Sequence, residues 1–176
     1  MEYKELYLKQ KWFSDAAPQN PKYASATLSF TAGITAGEVV TIGDENYEFV
    51  EEAANVTAGN IAVVVGETLT ADKAIQELTK AINANSAIVT AVDDTEKDTC
   101  TILYKSVGTD GNAVGIETTT AGASFDDGLT KLSGGQYGTP CMEVNSIIYV
   151  SPHYYWCTAA GNKDDVEWKR FNPALY

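Results

Sequence analysis

The stretch that decides the fold is residues 27–85, which reads TLSFTAGITAGEVVTIGDENYEFVEEAANVTAGNIAVVVGETLTADKAIQELTKAINAN. Its first half contains short runs rich in β-branched and aromatic residues, separated by turns with glycine, and this composition is typical of strands. The predicted strands are residues 28–31, 39–42 and 47–50, followed by an apolar stretch at 61–65. The link GDEN at residues 43–46 tolerates positive φ, which predicts a β-hairpin between the second and third strands. No residue of this stretch is an obvious catalyst.

The second half of the stretch contains the one convincing helix of the sequence, predicted at residues 70–84. Thr70 is a suitable N-cap, and Asp72 in the first turn complements the helix dipole. The apolar residues recur at helical spacing and form one stripe, which we expect to face a sheet. The stripe consists of Ala74, Ile75, Leu78, Ala81 and Ile82.

The main domain is predicted to span residues 24–137. Alternation over residues 24–31 places Ala26, Leu28 and Phe30 on one face of a strand. A second hairpin is predicted from residues 87–92 and 99–105, and loops with a short strand at 116–120 complete the domain. The predicted fold class is therefore α+β, a β-rich and mostly antiparallel sheet with the single helix packed on one face.

Two aromatic-rich segments flank this domain. Residues 1–23 carry aromatic and aliphatic side chains until Pro18 and Pro21 break the pattern, and they predict a short arm or edge strand. Residues 138–176 predict a small β meander with strands at 143–150, 153–158 and 166–171. A meander this small cannot bury enough surface alone, so we expect both segments to dock on the main domain or on a neighbouring subunit.

The composition restricts the classes of partner. A hydrophobic share of 44% supports a sizeable core, and the formal net charge of -12 repels phosphate backbones, which predicts no nucleic-acid binding. No run approaches the roughly 18 apolar residues that cross a bilayer, and the N-terminus lacks the apolar core of a signal peptide. We expect a protein that is made in the cytosol, stays soluble and has no membrane association.

The cysteines and the single histidine offer little chemistry. His153 could act as a base for Cys157 or Cys141, but no Asn or Asp is placed to orient it in a recognisable motif, so a packed or rim histidine is favoured. Three cysteines without a CxxC spacing predict neither a disulfide framework nor a zinc site. Cys141 and Cys157 flank the predicted C-terminal hairpin and could meet across it, but in a cytosolic protein we expect them to remain reduced.

Two loops have compositions that suggest a ligand, but for each of them a loop without a ligand is favoured. The acidic turn at residues 93–98 lacks the spacing of an EF-hand, so a solvated turn is favoured over a calcium site. The glycine-rich loop at residues 106–115 lacks the Gly-Lys-Ser/Thr ending of a phosphate-binding loop, and its glycines are expected to allow positive φ. The sequence predicts no catalytic residue, no metal and no cofactor.

An ordered series of short motifs between residues 26 and 135 resembles a domain that recurs in structural proteins of tailed bacteriophages. The motifs are GEVVTIG (37–43), NYEFV (46–50), TADKAIQELTKAINAN (70–85), VTA (89–91), GTDGNAVGI (108–116) and LSGG (132–135). The tail at residues 154–170, YYWCTAAGNKDDVEWKR, is similar to a C-terminal element of phage fibre and head-fibre proteins. The arm at residues 1–23 has no counterpart in this pattern.

The resemblance implies a non-enzymatic virion protein that works by multivalent self-assembly with other virion proteins, as a homo-oligomer. A capsid decoration or head-fibre accessory protein is favoured, because the chain is short and acidic and is expected to be complete from Met1. The alternative is a tail or fibre adhesin that binds a host surface glycan through the aromatic residues of the meander. The predicted subunit-interface residues are Tyr7, Trp12, Phe13, Tyr154, Tyr155, Trp156 and Trp168.

Overall fold

The computed structural model describes residues 12–13, 17–67, 70–139, 147–150, 153–161 and 163–171. In chain order the strands are β1 (Trp12–Phe13), β2 (Tyr23–Phe30), β3 (Val39–Ile42), β4 (Glu45–Val50), β5 (Ile61–Val64), β6 (Val89–Asp94), β7 (Thr99–Val107), β8 (Ile116–Thr118), β9 (Ala123–Phe125), β10 (Ile147–Val150), β11 (His153–Ala159) and β12 (Glu167–Phe171). The helix α1 (Ala71–Asn85) lies between β5 and β6. This content confirms the α+β class with a predominance of strands.

The chain divides into two compact units. The central unit is Tyr23–Gly135, and the terminal unit combines Met1–Lys22 with Gln136–Tyr176. The two flanking segments, which the sequence treats as separate, therefore belong to one unit. The physical reason is strand pairing across the whole length of the chain, because β1 pairs in parallel with β10.

The central unit contains two four-stranded sheets where the sequence predicts one. Their strand orders are β6-β7-β2-β9 and β5-β4-β3-β8. All pairs in them are antiparallel except β4 with β5, which is parallel. The division of the strands between two sheets could not be predicted, because alternation shows which side chains are buried but not which strands pair. In addition, β9 lies in a segment that was expected to be a loop.

Helix α1 confirms the predicted helix and its buried stripe. The Thr70 side chain accepts a hydrogen bond from the backbone N–H of Lys73 at 3.5 Å, which satisfies one of the free donors of the first turn. The predicted stripe is buried, together with Thr79. Near the C-terminal end, Asn83 donates to the carbonyl of Ala91 at 2.9 Å and accepts its N–H at 2.8 Å. This amide covers the outer edge of β6, so a further strand cannot pair there.

The hydrophobic core of the central unit lies between helix and sheets. Tyr47 and Phe49 of β4 and Leu28 of β2 are completely buried. Phe49 also contacts Phe30 of the other sheet edge to face, with ring centroids 6.4 Å apart and an interplanar angle of 86°. Because β2 and β4 belong to different sheets, this aromatic pair joins the two sheets.

The glycine-rich loop is a packing element of this unit. It contains a 3₁₀ turn, Asp110–Ala113, in which Gly111 is buried. A β-carbon at Gly111 would lie 2.7 Å from the Cβ atoms of Ala24 and Tyr104. Positive φ, the expected role of these glycines, is found within residues 106–115 at Gly108, where φ is 107°. The glycine at position 111 is therefore required by close packing, which the sequence analysis did not predict.

The two last motifs of the phage-like series meet in the structure. Asn112, in the loop motif GTDGNAVGI, donates to the carbonyl of Gly135 at 2.9 Å and accepts its N–H at 2.9 Å. Gly135 belongs to the motif LSGG and approaches the carbonyl of Gly108 so closely that a β-carbon would clash. This contact fastens the end of the central unit to its glycine-rich loop.

A buried carboxylate organises the loop between β4 and β5. Glu48 is 6% exposed and accepts three hydrogen bonds, from the backbone N–H of Thr57 at 2.9 Å, the Thr57 hydroxyl at 3.1 Å and the Asn60 amide at 2.8 Å. The Asn60 amide, and then the Thr57 donors, hold the pKa of Glu48 below its ordinary value. Glu48 therefore stabilises the loop as a charged group.

We expect Glu48→Gln to destabilise the central unit by about 1–3 kcal/mol at neutral pH. The NH₂ group of the glutamine is itself a donor, and it would face donors whose hydrogen bonds the carboxylate accepts. The lowered pKa also sets a pH dependence. The contribution of Glu48 is present above the unfolded-state value of 4.5 and is lost as the pH falls through the lower folded-state pKa. Urea unfolding at several pH values should show a flatter acid limb in the variant.

The matched control for this prediction is Glu51→Gln, because Glu51 is exposed one residue beyond β4. The control should leave the stability at neutral pH within about 0.5 kcal/mol of the unchanged protein. Equal stabilities of the two variants at neutral pH would contradict the assigned role of Glu48.

The terminal unit is built on one sheet with the order β1-β10-β11-β12. Its small core consists of Cys157, Val166 and Trp168, with Tyr155 packed against them. Asn20 accepts the backbone N–H of Trp168 at 2.6 Å and donates to its carbonyl at 3.3 Å. The segment before the central unit is thus tied to β12 of its own chain.

Candidate interaction surface

Alternation along β11 divides the predicted interface aromatics between two faces of the terminal sheet. Cys157 is paired with Trp168 of β12 and is fully buried, whereas its neighbour Trp156 is paired with Lys169 and is 43% exposed. Since successive side chains of a strand point to opposite faces, Trp156 and Tyr154 share the outer face and Tyr155 lies on the inner one. The four C-terminal aromatics of the prediction do not form one cluster.

The inner face is the core of the terminal unit. Trp168 is 6% exposed, and its indole N–H donates to the carbonyl of Thr139 at 2.7 Å. Its backbone is held by Asn20 from the other end of the chain. Trp168 is therefore satisfied within its own chain and has little surface left for an anchor on a neighbouring subunit.

The outer face presents an aromatic ring beside a cation. Trp156 of β11 has Lys169 of β12 as its cross-strand partner, and both residues are exposed. On its other side Trp156 is paired with Ile147 of β10, and Tyr154 follows on the same face with a half-buried side chain. We call Tyr154, Trp156 and Lys169 the aromatic face. Among the predicted interface residues whose side chains the structure describes, Trp156 is the exposed one.

The predicted interface residues of the arm are described only in part. Tyr7 lies outside the described residues. Trp12 and Phe13 form β1, which pairs with β10 through Trp12 to Ile148 and Phe13 to Tyr149. Their side chains lie outside the described part of the structure, so their interface role stays a prediction.

The cysteines do not form a nucleophilic site in the described residues. Cys157 is disulfide-bonded, which corrects the expectation of a reduced thiol, and the other cysteine of the C-terminal segment, Cys141, lies outside the described residues. Cys100 is a free buried thiol, and burial raises its pKa to about 11. A thiol with such a pKa is largely protonated near neutral pH and reacts slowly.

The single histidine is not placed as a base for Cys157. Both residues lie in β11, four positions apart. An extended strand rises about 3.3 Å per residue, which separates them by roughly 13 Å along the strand. This distance is incompatible with the hydrogen bond that a nucleophile–base couple requires.

The acidic turn forms a local ion pair. Lys97 lies 2.6 Å from Asp94, and this contact lowers the pKa of the Asp94 carboxyl. Among the residues that the structure describes, no group of His, Cys, Asp or Glu side chains is arranged to hold a metal ion. Nor does any described helix have the length and apolar composition that crossing a membrane requires.

The chain was compared with protein-family models, with curated proteins and with solved structures. No family model, no curated protein and no solved structure matched it. We therefore infer a function from the aromatic face and from the packing of the motif series.

Proposed function

We propose that this chain is a non-enzymatic structural protein of a bacteriophage particle, and that it acts as a capsid decoration or head-fibre accessory protein. The observation that carries the proposal is the position of the motifs in the fold. The motifs at residues 37–135 all lie within the central unit, Tyr23–Gly135. A structural domain that recurs in several proteins is expected to appear as a series of motifs confined to one compact unit.

The internal contacts of the motifs support the same proposal. The motif NYEFV supplies the buried Tyr47 and Phe49, and the motif GTDGNAVGI supplies Asn112, which is bonded to Gly135. These residues serve the packing and internal hydrogen bonding of the unit. Residues that serve packing are expected in a scaffold and not in an active site.

In this proposal the aromatic face attaches the protein to a neighbouring particle subunit. Trp156 is the most exposed tryptophan side chain that the structure describes, and tryptophan is among the residue types enriched in interface hot spots. We drop Trp168 from the proposed contact because it is buried in its own chain. The arm residues Tyr7, Trp12 and Phe13 stay as predicted contributors.

The test is immunogold labelling of purified phage particles with an antibody against the central unit, followed by rebinding of tagged protein to particles that lack it. Trp156→Ala is expected to weaken rebinding by about 30-fold, as for the loss of one aromatic hot spot. The matched variant Trp156→Phe should retain most of the binding. Particles without any label, or equal rebinding by both variants, would refute the proposal.

The second candidate function is an adhesin that binds a host surface glycan. The observation in its favour is that Tyr154 and Trp156 lie on the same sheet face, where aromatic rings can stack on sugars. A glycan array separates the two candidates. Specific glycan binding that is lost in Trp156→Ala, without binding to particle subunits, would favour the adhesin.

A further inference from the structure

The charge of the chain is distributed unequally between its two units. The central unit contains 17 acidic and 5 basic residues and so carries the whole formal net charge of -12, whereas the terminal unit contains 7 of each. Such a concentration of negative charge attracts basic partners to the central unit over distances of about 10 Å at ordinary ionic strength. The question is which surface of the unit a partner would occupy.

The sheet β6-β7-β2-β9 has one face that nothing in the central unit covers. Its other face is buried, as shown by Ala26, Leu28 and Ile102. On the open face Val92, Thr101 and Thr27 form one cross-strand row, and Val92 is 59% exposed. A valine exposed to this degree on the edge strand β6 is apolar surface that a partner can bury.

This face is concave and has an acidic rim. The depression has a volume of about 780 Å³, and it is lined by Val92, by threonines of β2, β7 and the β6–β7 turn, by Leu103, and by acidic residues at the end of β6 and in the turn that follows. We call it the acidic trough. Its lining residues are Thr27, Val92, Asp93, Asp94, Thr95, Glu96, Lys97, Thr99, Thr101, Leu103 and Asp126.

Two carboxylates of the rim have partners in the chain and two are directed to solvent. Asp94 is paired with Lys97, and Asp126 accepts a hydrogen bond from the Ser29 hydroxyl at 2.9 Å. Asp93 and Glu96 are exposed. With four carboxylates and one lysine, the lining carries an excess of negative charge that only a basic partner would neutralise.

The edge of the trough is closed to strand addition. Asn83 occupies the outward N–H and carbonyl of Ala91, and the Ser86 hydroxyl accepts the N–H of Val89 at 3.1 Å. A partner therefore has to lie across the sheet face and contact side chains there. This excludes β-augmentation at β6 as the mode of binding.

We propose that the acidic trough binds a basic, extended segment of a partner polypeptide. An aliphatic side chain of the segment covers Val92 and Leu103, and lysine or arginine side chains on either side face Glu96 and Asp126. Threonine hydroxyls between them, such as those of Thr27 and Thr101, whose oxygens lie 3.4 Å apart, hydrogen-bond to the segment. The proposal concerns the central unit alone and does not depend on where the protein works.

The experiment uses full-length protein and a fluorescent extended heptapeptide with a central valine and a lysine two residues before and after it, so that all three side chains share one face, and binding is followed by fluorescence anisotropy. The Val92→Ser variant should bind the peptide about tenfold more weakly, and Glu96→Gln about threefold more weakly. The matched controls are Val64→Ser and Glu117→Gln, since Val64 is 40% exposed and both residues lie outside the trough. Both controls should bind as the unchanged protein does, and circular dichroism should show all four variants folded.

The remaining outcomes decide against the proposal. If about 0.5 M salt abolishes binding and Val92→Ser has no effect, the attraction is non-specific and the trough is not a site. No binding at about 1 mM peptide, an affinity in the range of non-specific contacts, also refutes it. Concentration-dependent self-association that is lost in Val92→Ser, without peptide binding, would assign the trough to a second copy of the chain instead.

Discussion

Replacing Phe49 by alanine is expected to lower the free energy of unfolding of the central unit by about 3–5 kcal/mol, the usual cost of deleting a buried aromatic ring. Phe49 is completely inaccessible to solvent and contacts Phe30 across the two sheets. The substitution therefore removes apolar burial, leaves a cavity and deletes the contact that joins the sheets. Urea unfolding followed by far-UV circular dichroism measures the effect.

A loss of this size approaches the whole stability of many domains and is enough to unfold a marginally stable unit outright. Phe49→Leu keeps most of the apolar volume and should cost less than the alanine variant, which preserves a measurable transition. The control is Val92→Ala, because Val92 is 59% exposed. A midpoint for Phe49→Ala equal to that of the control would show that the ring does not join the sheets.

Gly111→Ala is expected to destabilise the central unit by about 2–3 kcal/mol, the range found when extra atoms are forced into a packed core. The new methyl group would lie 2.7 Å from the Cβ atoms of Ala24 and Tyr104, and both neighbours belong to the packed interior of the unit. The loop would have to move, and the contact of Asn112 with Gly135 would move with it. Thermal unfolding of the full-length protein measures the effect.

The same loop provides the matched control for Gly111→Ala. A β-carbon at Gly115 would meet no atom within 4 Å, so Gly115→Ala should be neutral or slightly stabilising. The pair distinguishes a packing role of the loop from a ligand-binding role. If both variants have the melting temperature of the unchanged protein, the loop does not pack as the structure shows.

The aromatic face and the acidic trough give the two units different kinds of surface. The terminal unit is neutral by formal charge and exposes Trp156 beside Lys169. The central unit carries the net negative charge and exposes Val92 among threonines and carboxylates. A protein with two such surfaces can contact two partners of different chemistry, which is consistent with the proposed accessory role on a particle.

Helix α1 shows how far local sequence information reaches. Its N-cap Thr70 and its buried stripe were predicted, and the observed helix ends one residue beyond the predicted end. The hairpin of β3 and β4 was equally predictable from the sequence, since Gly43 has the positive φ that a two-residue turn requires. These features depend on residues that are neighbours in sequence, so composition and periodicity are sufficient to predict them.

The candidate interaction surface was predicted less well. The aromatic residues of β11 were identified, but the sequence analysis treated them as one group, although alternation already separates Trp156 from Tyr155 and Cys157. The burial of Trp168 was not predictable in the same way, because it depends on Asn20 and Thr139, which are distant in sequence. For the acidic trough, the sequence predicted only a solvated turn. The trough itself was not predictable, because Thr27, Val92 and Asp126 come from separate segments of the chain.

By itself, the sequence determined the α+β class, the helix with its buried face, most of the strands and the acidity of the protein. The tertiary structure alone decided that the strands of the central unit form two sheets, that the two ends of the chain build one terminal unit, and which aromatic side chains stay exposed. The physical reason is the range of the interactions. Helix and turn preferences act between near neighbours, whereas sheet order and burial depend on contacts between residues as far apart as Asn20 and Trp168.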